Sequence, residues 1–135
     1  MRKMLAWLLG LLSAANGVFM MLAPALWYGI IPGVPQTGAF NPHFVRDIGA
    51  AYIVSGAALV WFANNPRARP AALIAAAFFV LHASVHAHDF IMARESLHYA
   101  MLDVPSIYLW AALAIWIVWP QGALAKGEIP KGEIR

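Results

Sequence analysis

Residues 70–90 read PAALIAAAFFVLHASVHAHDF, and this stretch decides the fold class. It contains one carboxylate, Asp89, and three histidines, His82, His86 and His88, all within its last nine residues. A helix of about 20 apolar residues, rising roughly 1.5 Å per residue, spans the hydrocarbon core of a bilayer. Because lipid offers the backbone no hydrogen-bond partner, such a segment crosses the bilayer as an α-helix. The stretch therefore predicts a transmembrane helix whose polar groups gather near one end.

Three further segments share this apolar character, residues 4–25, 42–63 and 104–119. Together with residues 70–90 they predict an all-α fold, an integral membrane four-helix bundle. We expect residues 1–122 to form this single transmembrane domain and residues 123–135 to form a polar cytoplasmic tail.

The expected helix boundaries follow from prolines and asparagines. Asn41 stands directly before Pro42, as a capping residue stands before a proline in the first helical turn. Pro70 and Pro105 are expected to occupy the same early position in their own helices. Pro66 ends the second segment, because the residue before a proline is pushed out of the α region.

The composition supports membrane insertion. Of 135 residues, 62% are hydrophobic and only 15 are charged, nine Lys or Arg and six Asp or Glu. A soluble domain averages about 25% charged residues, so this chain could not cover its core with a wetted surface. The net charge of +3 is a poor basis for nucleic-acid binding, and without cysteine no thiolate metal site can form. The expected partners are the lipid bilayer and either further copies of the chain or a larger membrane complex.

The basic residues indicate the orientation in the membrane. They cluster before the first segment, between the second and third, and after the fourth: Arg2, Lys3, Arg67, Arg69, Lys126, Lys131 and Arg135. Lys and Arg accumulate on the cytoplasmic side of membrane proteins, so both termini are predicted to be cytoplasmic.

Counting helical rise from the basic ends gives the polar residues a depth. Asp47, His86 and Asp103 each lie 16 residues from the basic end of their segments, which corresponds to roughly 24 Å. His82 lies about 6 Å deeper, and Asn16 is at a similar depth. His43 and Asp89 lie about 5–6 Å nearer the outer surface, and Arg46 lies beside His43 and Asp47 in the second segment. Several helices therefore bring polar groups to the outer half of the bundle.

A transition-metal site facing the periplasm is the leading functional hypothesis. A charge in the hydrocarbon costs about 2.5–3.5 kcal/mol, so intramembrane ionisable residues indicate a functional site by default. Imidazole and carboxylate suit Zn, Cu or Fe, and two histidines at i and i+4 can share one ion. The predicted ligands are His43, Asp47, His82 and His86. Residues expected to orient or gate them are Arg46, Asp89, Asp103, Asn16 and Tyr52. The protein would then be a redox or metal-handling subunit.

Two alternatives remain open. The first is a non-catalytic small subunit of a larger membrane complex, in which the polar cluster is a structural network pairing Arg46 with Asp89 or Asp103, and His86 with Asp47. The second is haem or quinone binding, with His43 opposite His82 or His86 as axial ligands, or with His86 and Tyr52 meeting a quinone headgroup.

Two runs carry a resemblance to known proteins. They are PGVPQTGAFNPHFVRDIGAAY at residues 32–52 and LHASVHAHD at residues 81–89. Both resemble a family of small four-span bacterial membrane proteins, similar in size and layout to the DoxX-like group. The resemblance covers the second and third segments well and the chain ends poorly. It implies a four-helix bundle in a bacterial inner membrane, and it assigns no functional residue.

Overall fold

The computed structural model describes residues 1–92, 94 and 96–120. Its α-helices are α1 (Arg2–Leu22), α2 (Pro24–Ile30), α3 (Pro42–Asn64), α4 (Arg69–Ile91), α5 (Leu97–Asp103) and α6 (Leu109–Val118). Short 3-10 turns cover Val34–Gln36 and Pro66–Ala68, and a π-helical turn, Val104–Tyr108, joins α5 to α6. The described residues contain no β-strand.

Four helical segments are long and apolar enough to cross a membrane: Arg2–Leu22, Pro42–Asn64, Pro66–Ile91 and Leu97–Val118. The all-α fold and the four spans predicted from the sequence are thereby confirmed, and the chain is a multi-pass membrane protein. The predicted polar tail, residues 123–135, lies outside the described residues.

The predicted cap of the second span is present. The Asn41 side chain accepts hydrogen bonds from the backbone N–H groups of His43 and Phe44, at 3.0 and 3.2 Å. Asn65 acts in the same way on the other side of the membrane, accepting from Arg67 N–H at 3.0 Å. These asparagines satisfy N–H groups that the first turn of a helix otherwise leaves without a partner.

The fourth span differs from its predicted form. It begins at Leu97, so Pro105 lies inside the span and not in its first turn. A proline in a helix interior has no N–H to donate to the carbonyl four residues earlier. The chain accommodates Pro105 with the π-helical turn, and the Ser106 hydroxyl donates to Leu102 O at 2.8 Å.

A glycine seam joins α1 and α3. Gly10 lies against Gly56 and Gly17 against Gly49, which makes the two helices antiparallel. A Cβ added at Gly10 would lie 2.7 Å from Gly56 O, and one added at Gly49 would lie 2.9 Å from Gly17 O. In lipid, where apolar burial does not drive helices together, small residues allow the close approach on which packing depends.

The other helices pack through alanine. The buried core that α4 and α6 share consists mainly of Ala72, Ala75, Ala76, Ala83, Ala111 and Ala114, with Phe79 and Ile117. Large side chains on the opposite faces, such as Ile74 and Leu81, are 73% and 66% exposed. This arrangement suits a bundle whose outer faces meet hydrocarbon.

Candidate functional site

A hydrogen-bonded pair, His86 and Asp103, links α4 to the fourth span. His86 Nδ1 lies 2.7 Å from Asp103 Oδ2, and the two side chains are 23% and 12% exposed. The helical-rise count placed both residues at one depth. The predicted pairing of His86 with Asp47 was wrong, because Asp103 occupies that place.

The position of Asp103 is tied to the irregular backbone of the fourth span. Asp103 is the last residue of α5, and the π-helical turn with Pro105 follows directly. A π-helical turn contains one extra residue, so the side chains next to it point in different directions than they would on a regular α-helix. Asp103 thus stands where the fourth span departs from regular α-helical geometry.

Aromatic rings extend the pair inward along α4. The centroids of the His82 and His86 rings are 5.0 Å apart, and Phe78 stacks on His82 at 5.9 Å with an interplanar angle of 21°. Tyr52 of α3 meets His82 edge-on at 5.8 Å and Phe78 at 5.2 Å. We call Tyr52, Phe78, His82 and His86 the ring cluster.

The pair determines what His86 can do chemically. If Asp103 is ionised it can only accept, so it holds a proton on His86 Nδ1. In the neutral imidazole the other nitrogen, Nε2, then carries a lone pair. That nitrogen can accept a proton, accept a hydrogen bond or bind a metal, and the carboxylate keeps the ring in one orientation.

His43 and Asp47 stand apart from this pair. His43 Nε2 lies 3.4 Å from Asp47 Oδ2 across one turn of α3, and their side chains are 86% and 60% exposed. Among the described residues, no three or more His, Asp or Glu form a group that could hold a metal ion. The four predicted ligands therefore do not come together as one set. Haem binding with His43 opposite His82 or His86 stays a prediction.

Arg46 and Asp89 also have partners other than those predicted. Arg46 Nε donates to Met21 O at 3.2 Å, which joins α3 to the end of α1. Asp89 lies 3.4 Å from both Arg94 Nη1 and His88 Nδ1. The predicted pairing of Arg46 with Asp89 or Asp103 was wrong, because neighbouring residues in the chain satisfy Asp89.

Asn16 has a structural partner. The Trp27 indole N–H donates to Asn16 Oδ1 at 2.9 Å, and Asn16 Nδ2 contacts Met20 Sδ at 3.6 Å. The short helix α2 thus folds back onto α1. The local sequence pattern gave no indication of this contact between Asn16 and Trp27.

Comparison of the chain with protein-family models, with curated proteins and with solved structures finds no match. The resemblance to the DoxX-like group therefore stays a prediction. Function has to be inferred from the His86–Asp103 pair and the ring cluster.

Proposed function

We propose that the chain binds the headgroup of a lipid-soluble quinone at the His86–Asp103 pair. The observation that carries this proposal is the 2.7 Å contact between His86 Nδ1 and Asp103 Oδ2, in side chains that are mostly but not fully buried. This site lies in the half of the bundle predicted to be the outer one, and Asp103, not Asp47, is the partner of His86.

Access from the bilayer supports this ligand class. His86 lies on a predicted membrane-crossing helix, and its neighbour Val85 is 58% exposed on the outer surface of the bundle. A quinone diffuses in the hydrocarbon and needs a polar group that it can reach from the side. The His86 side chain is 23% exposed, so a molecule outside the bundle can contact it.

The ring cluster supplies the remaining requirements. A quinone headgroup is a flat ring with two oxygens, and aromatic side chains favour offset or edge contacts with such rings. In its neutral form, His86 Nε2 can accept a hydrogen bond from a quinol hydroxyl. Asp103 would keep the His86 ring in the orientation that this hydrogen bond needs.

The test is equilibrium binding of a short-chain ubiquinone and a short-chain menaquinone to the protein in lipid nanodiscs. We expect saturable binding of at least one, weakened about tenfold or more by His86→Ala, which corresponds to the loss of about 1.4 kcal/mol. His43→Ala is the matched control, because that histidine is exposed at the same end of the bundle. Equal affinity in the two variants would contradict the proposal.

A transition metal, Zn, Cu or Fe, is the second candidate. It is favoured by His82 and His86 standing at i and i+4 with a carboxylate on the second ring, since ligating histidines commonly donate their other N–H to a carboxylate. The described residues give such an ion two histidine ligands, so it would need others from a bound molecule or a further chain. Elemental analysis of untagged protein tests this. Less than about a tenth of an equivalent after reconstitution would contradict it.

The structural alternative makes a distinct prediction. If the His86–Asp103 pair only joins helices in a small subunit of a larger complex, His86→Ala lowers thermal stability and no ligand is lost. Measuring both the thermal stability and the quinone affinity of His86→Ala distinguishes a purely structural role from a ligand site.

We also propose a bacterial inner membrane with both termini in the cytoplasm. The bacterial membrane rests on the resemblance of residues 32–52 and 81–89 to small bacterial membrane proteins. The orientation is supported by Arg2 and Arg69 at the end of the bundle where α1 begins and α6 ends, and by Arg67 in the turn before α4. Reporter domains fused after Pro120 and within residues 31–41 should be located on opposite sides of the membrane.

A further inference from the structure

We infer that the short helix α2, in the connection between the first and second spans, docks into the bilayer interface with its exposed face against the acyl chains of phospholipids. The inference is independent of the proposed quinone site and of the orientation of the chain, because it rests only on the end of α1 and on the connection that follows it.

This connection, residues 23–41, carries no charge. No Lys, Arg, Asp or Glu occurs between Lys3 and Arg46, so the connection is as free of charge as the spans beside it. Charged side chains are costly in the hydrocarbon, and the composition of the connection avoids that cost.

The two sides of α2 differ in chemistry. On the side that meets α1, the Trp27 indole N–H donates to Asn16 Oδ1 at 2.9 Å. On the other side, Leu26 and Ile30 stand one helical turn apart and are 58% and 55% exposed. A helix packed on a protein in water shows the reverse pattern, with its large apolar side chains inward. We call the exposed residues of α2 the apolar face: Ala25, Leu26, Gly29 and Ile30.

The connection also provides partners for its own backbone, as a segment in contact with lipid must. The Thr37 N–H donates to Val34 O at 3.1 Å, and the Tyr28 hydroxyl donates to Gly38 O. Three residues of the connection are prolines, which have no N–H that needs a partner: Pro24, Pro32 and Pro35.

The apolar face continues the exposed surface of a membrane-spanning helix. The first span ends at Leu22, which is 80% exposed, and only Ala23 separates it from α2. Protein interfaces carry direct hydrogen bonds as well as apolar contacts. The apolar face has no side-chain donor or acceptor to offer, so phospholipid fits it better than a protein partner.

The level of α2 in the membrane follows from its position and its aromatic residues. It begins where the first span ends, and it carries Trp27 and Tyr28, residue types that prefer the membrane–water interface. Helices that lie in this interface bury their apolar face about 5–10 Å into the boundary between headgroups and acyl chains.

The experiment measures the collision rates of a nitroxide spin label in phosphatidylcholine nanodiscs. The chain has no cysteine, so a single labelling site can be introduced as Leu26→Cys or as Gly29→Cys. A Cβ at Gly29 meets nothing within 4 Å, so a label there does not disturb the packing of α2. The matched controls are Val54→Cys, which is 68% exposed in the middle of α3, and Arg67→Cys, which is exposed in the connection between α3 and α4.

The measured quantity is the collision rate with oxygen, which dissolves in lipid, divided by that with a water-soluble nickel chelate. At a depth of about 5–10 Å, we expect this ratio at both α2 positions to be at least about fivefold above that of Arg67→Cys, and below that of Val54→Cys. Circular dichroism of each labelled variant checks that its helix content equals that of the unmodified protein.

Two results would overturn the inference. A ratio equal to that of Arg67→Cys at either α2 position would place the apolar face in water. Low collision rates with both reagents would show that protein covers this face, and dipolar broadening between labels would then identify a second copy of the chain as the occupant.

Discussion

Gly10→Ala should destabilise the bundle although alanine is the better helix former. The new Cβ would lie 2.7 Å from Gly56 O and 2.8 Å from Val60 Cγ2, whereas ordinary contacts begin at 3.4 Å. The Gly56 carbonyl belongs to the backbone, so relief requires α1 and α3 to separate by several tenths of an ångström. Overpacking of this kind costs about 1–3 kcal/mol.

Gly29→Ala is the matched control. Gly29 also lies in a helix, and a Cβ there would meet nothing within 4 Å. Both substitutions gain about 1 kcal/mol or less in helix propensity, so this gain largely cancels in the comparison. Gly10→Ala should therefore be about 1–3 kcal/mol less stable than Gly29→Ala. The assay is reversible unfolding in mixed micelles titrated with sodium dodecyl sulfate and followed by circular dichroism. Equal stability of the two variants would refute the close glycine contact between α1 and α3.

The remaining predictions concern single contacts. In a double-mutant cycle on thermal or detergent unfolding, His86→Ala and Asp103→Asn should be coupled by about 0.6 kcal/mol, the average measured for hydrogen bonds between membrane helices, and by no more than about 1.7 kcal/mol, the largest value measured. Additive effects would show that the pair is not formed. Trp27→Phe removes the donor to Asn16 and should cost about 0.5–1.5 kcal/mol in the same assay, whereas no loss would mean that water replaces the indole. Pro105→Ala should stabilise the fourth span by restoring a helical donor while it weakens quinone binding, because the π-helical turn next to Asp103 is lost. An unchanged quinone affinity in Pro105→Ala would show that the π-helical turn does not contribute to the quinone site.

The spans could be predicted because their signals are local. The apolar length of a span and the Asn41 cap each depend on one continuous stretch of sequence. Both are present in the structure. Pro105 was misplaced because a proline is compatible both with a first turn and with a π-helical turn inside a span. Local sequence does not distinguish these cases; the packing of the preceding turn decides.

Depth could be predicted for the site, but helix rotation could not. The fixed rise per residue placed His86 and Asp103 at one level, as found. The rotation of α3 is set by the glycine seam, which turns Gly49 toward α1. At about 100° per residue, Asp47 faces nearly the opposite direction, whereas Tyr52 lies only about 60° from Gly49. Asp47 is therefore exposed, and Tyr52 contacts Phe78 and His82 of α4.

The quinone dissociation constant of His86→Ala, measured in nanodiscs beside that of His43→Ala, tests the central claim most directly. The proposal predicts a dissociation constant at least about tenfold higher for His86→Ala, no change for His43→Ala, and little further loss when Asp103→Asn is added to His86→Ala. Quinone binding that is equally strong in all three variants, or absent from the unmodified protein, would contradict the claim that the His86–Asp103 pair is a ligand site.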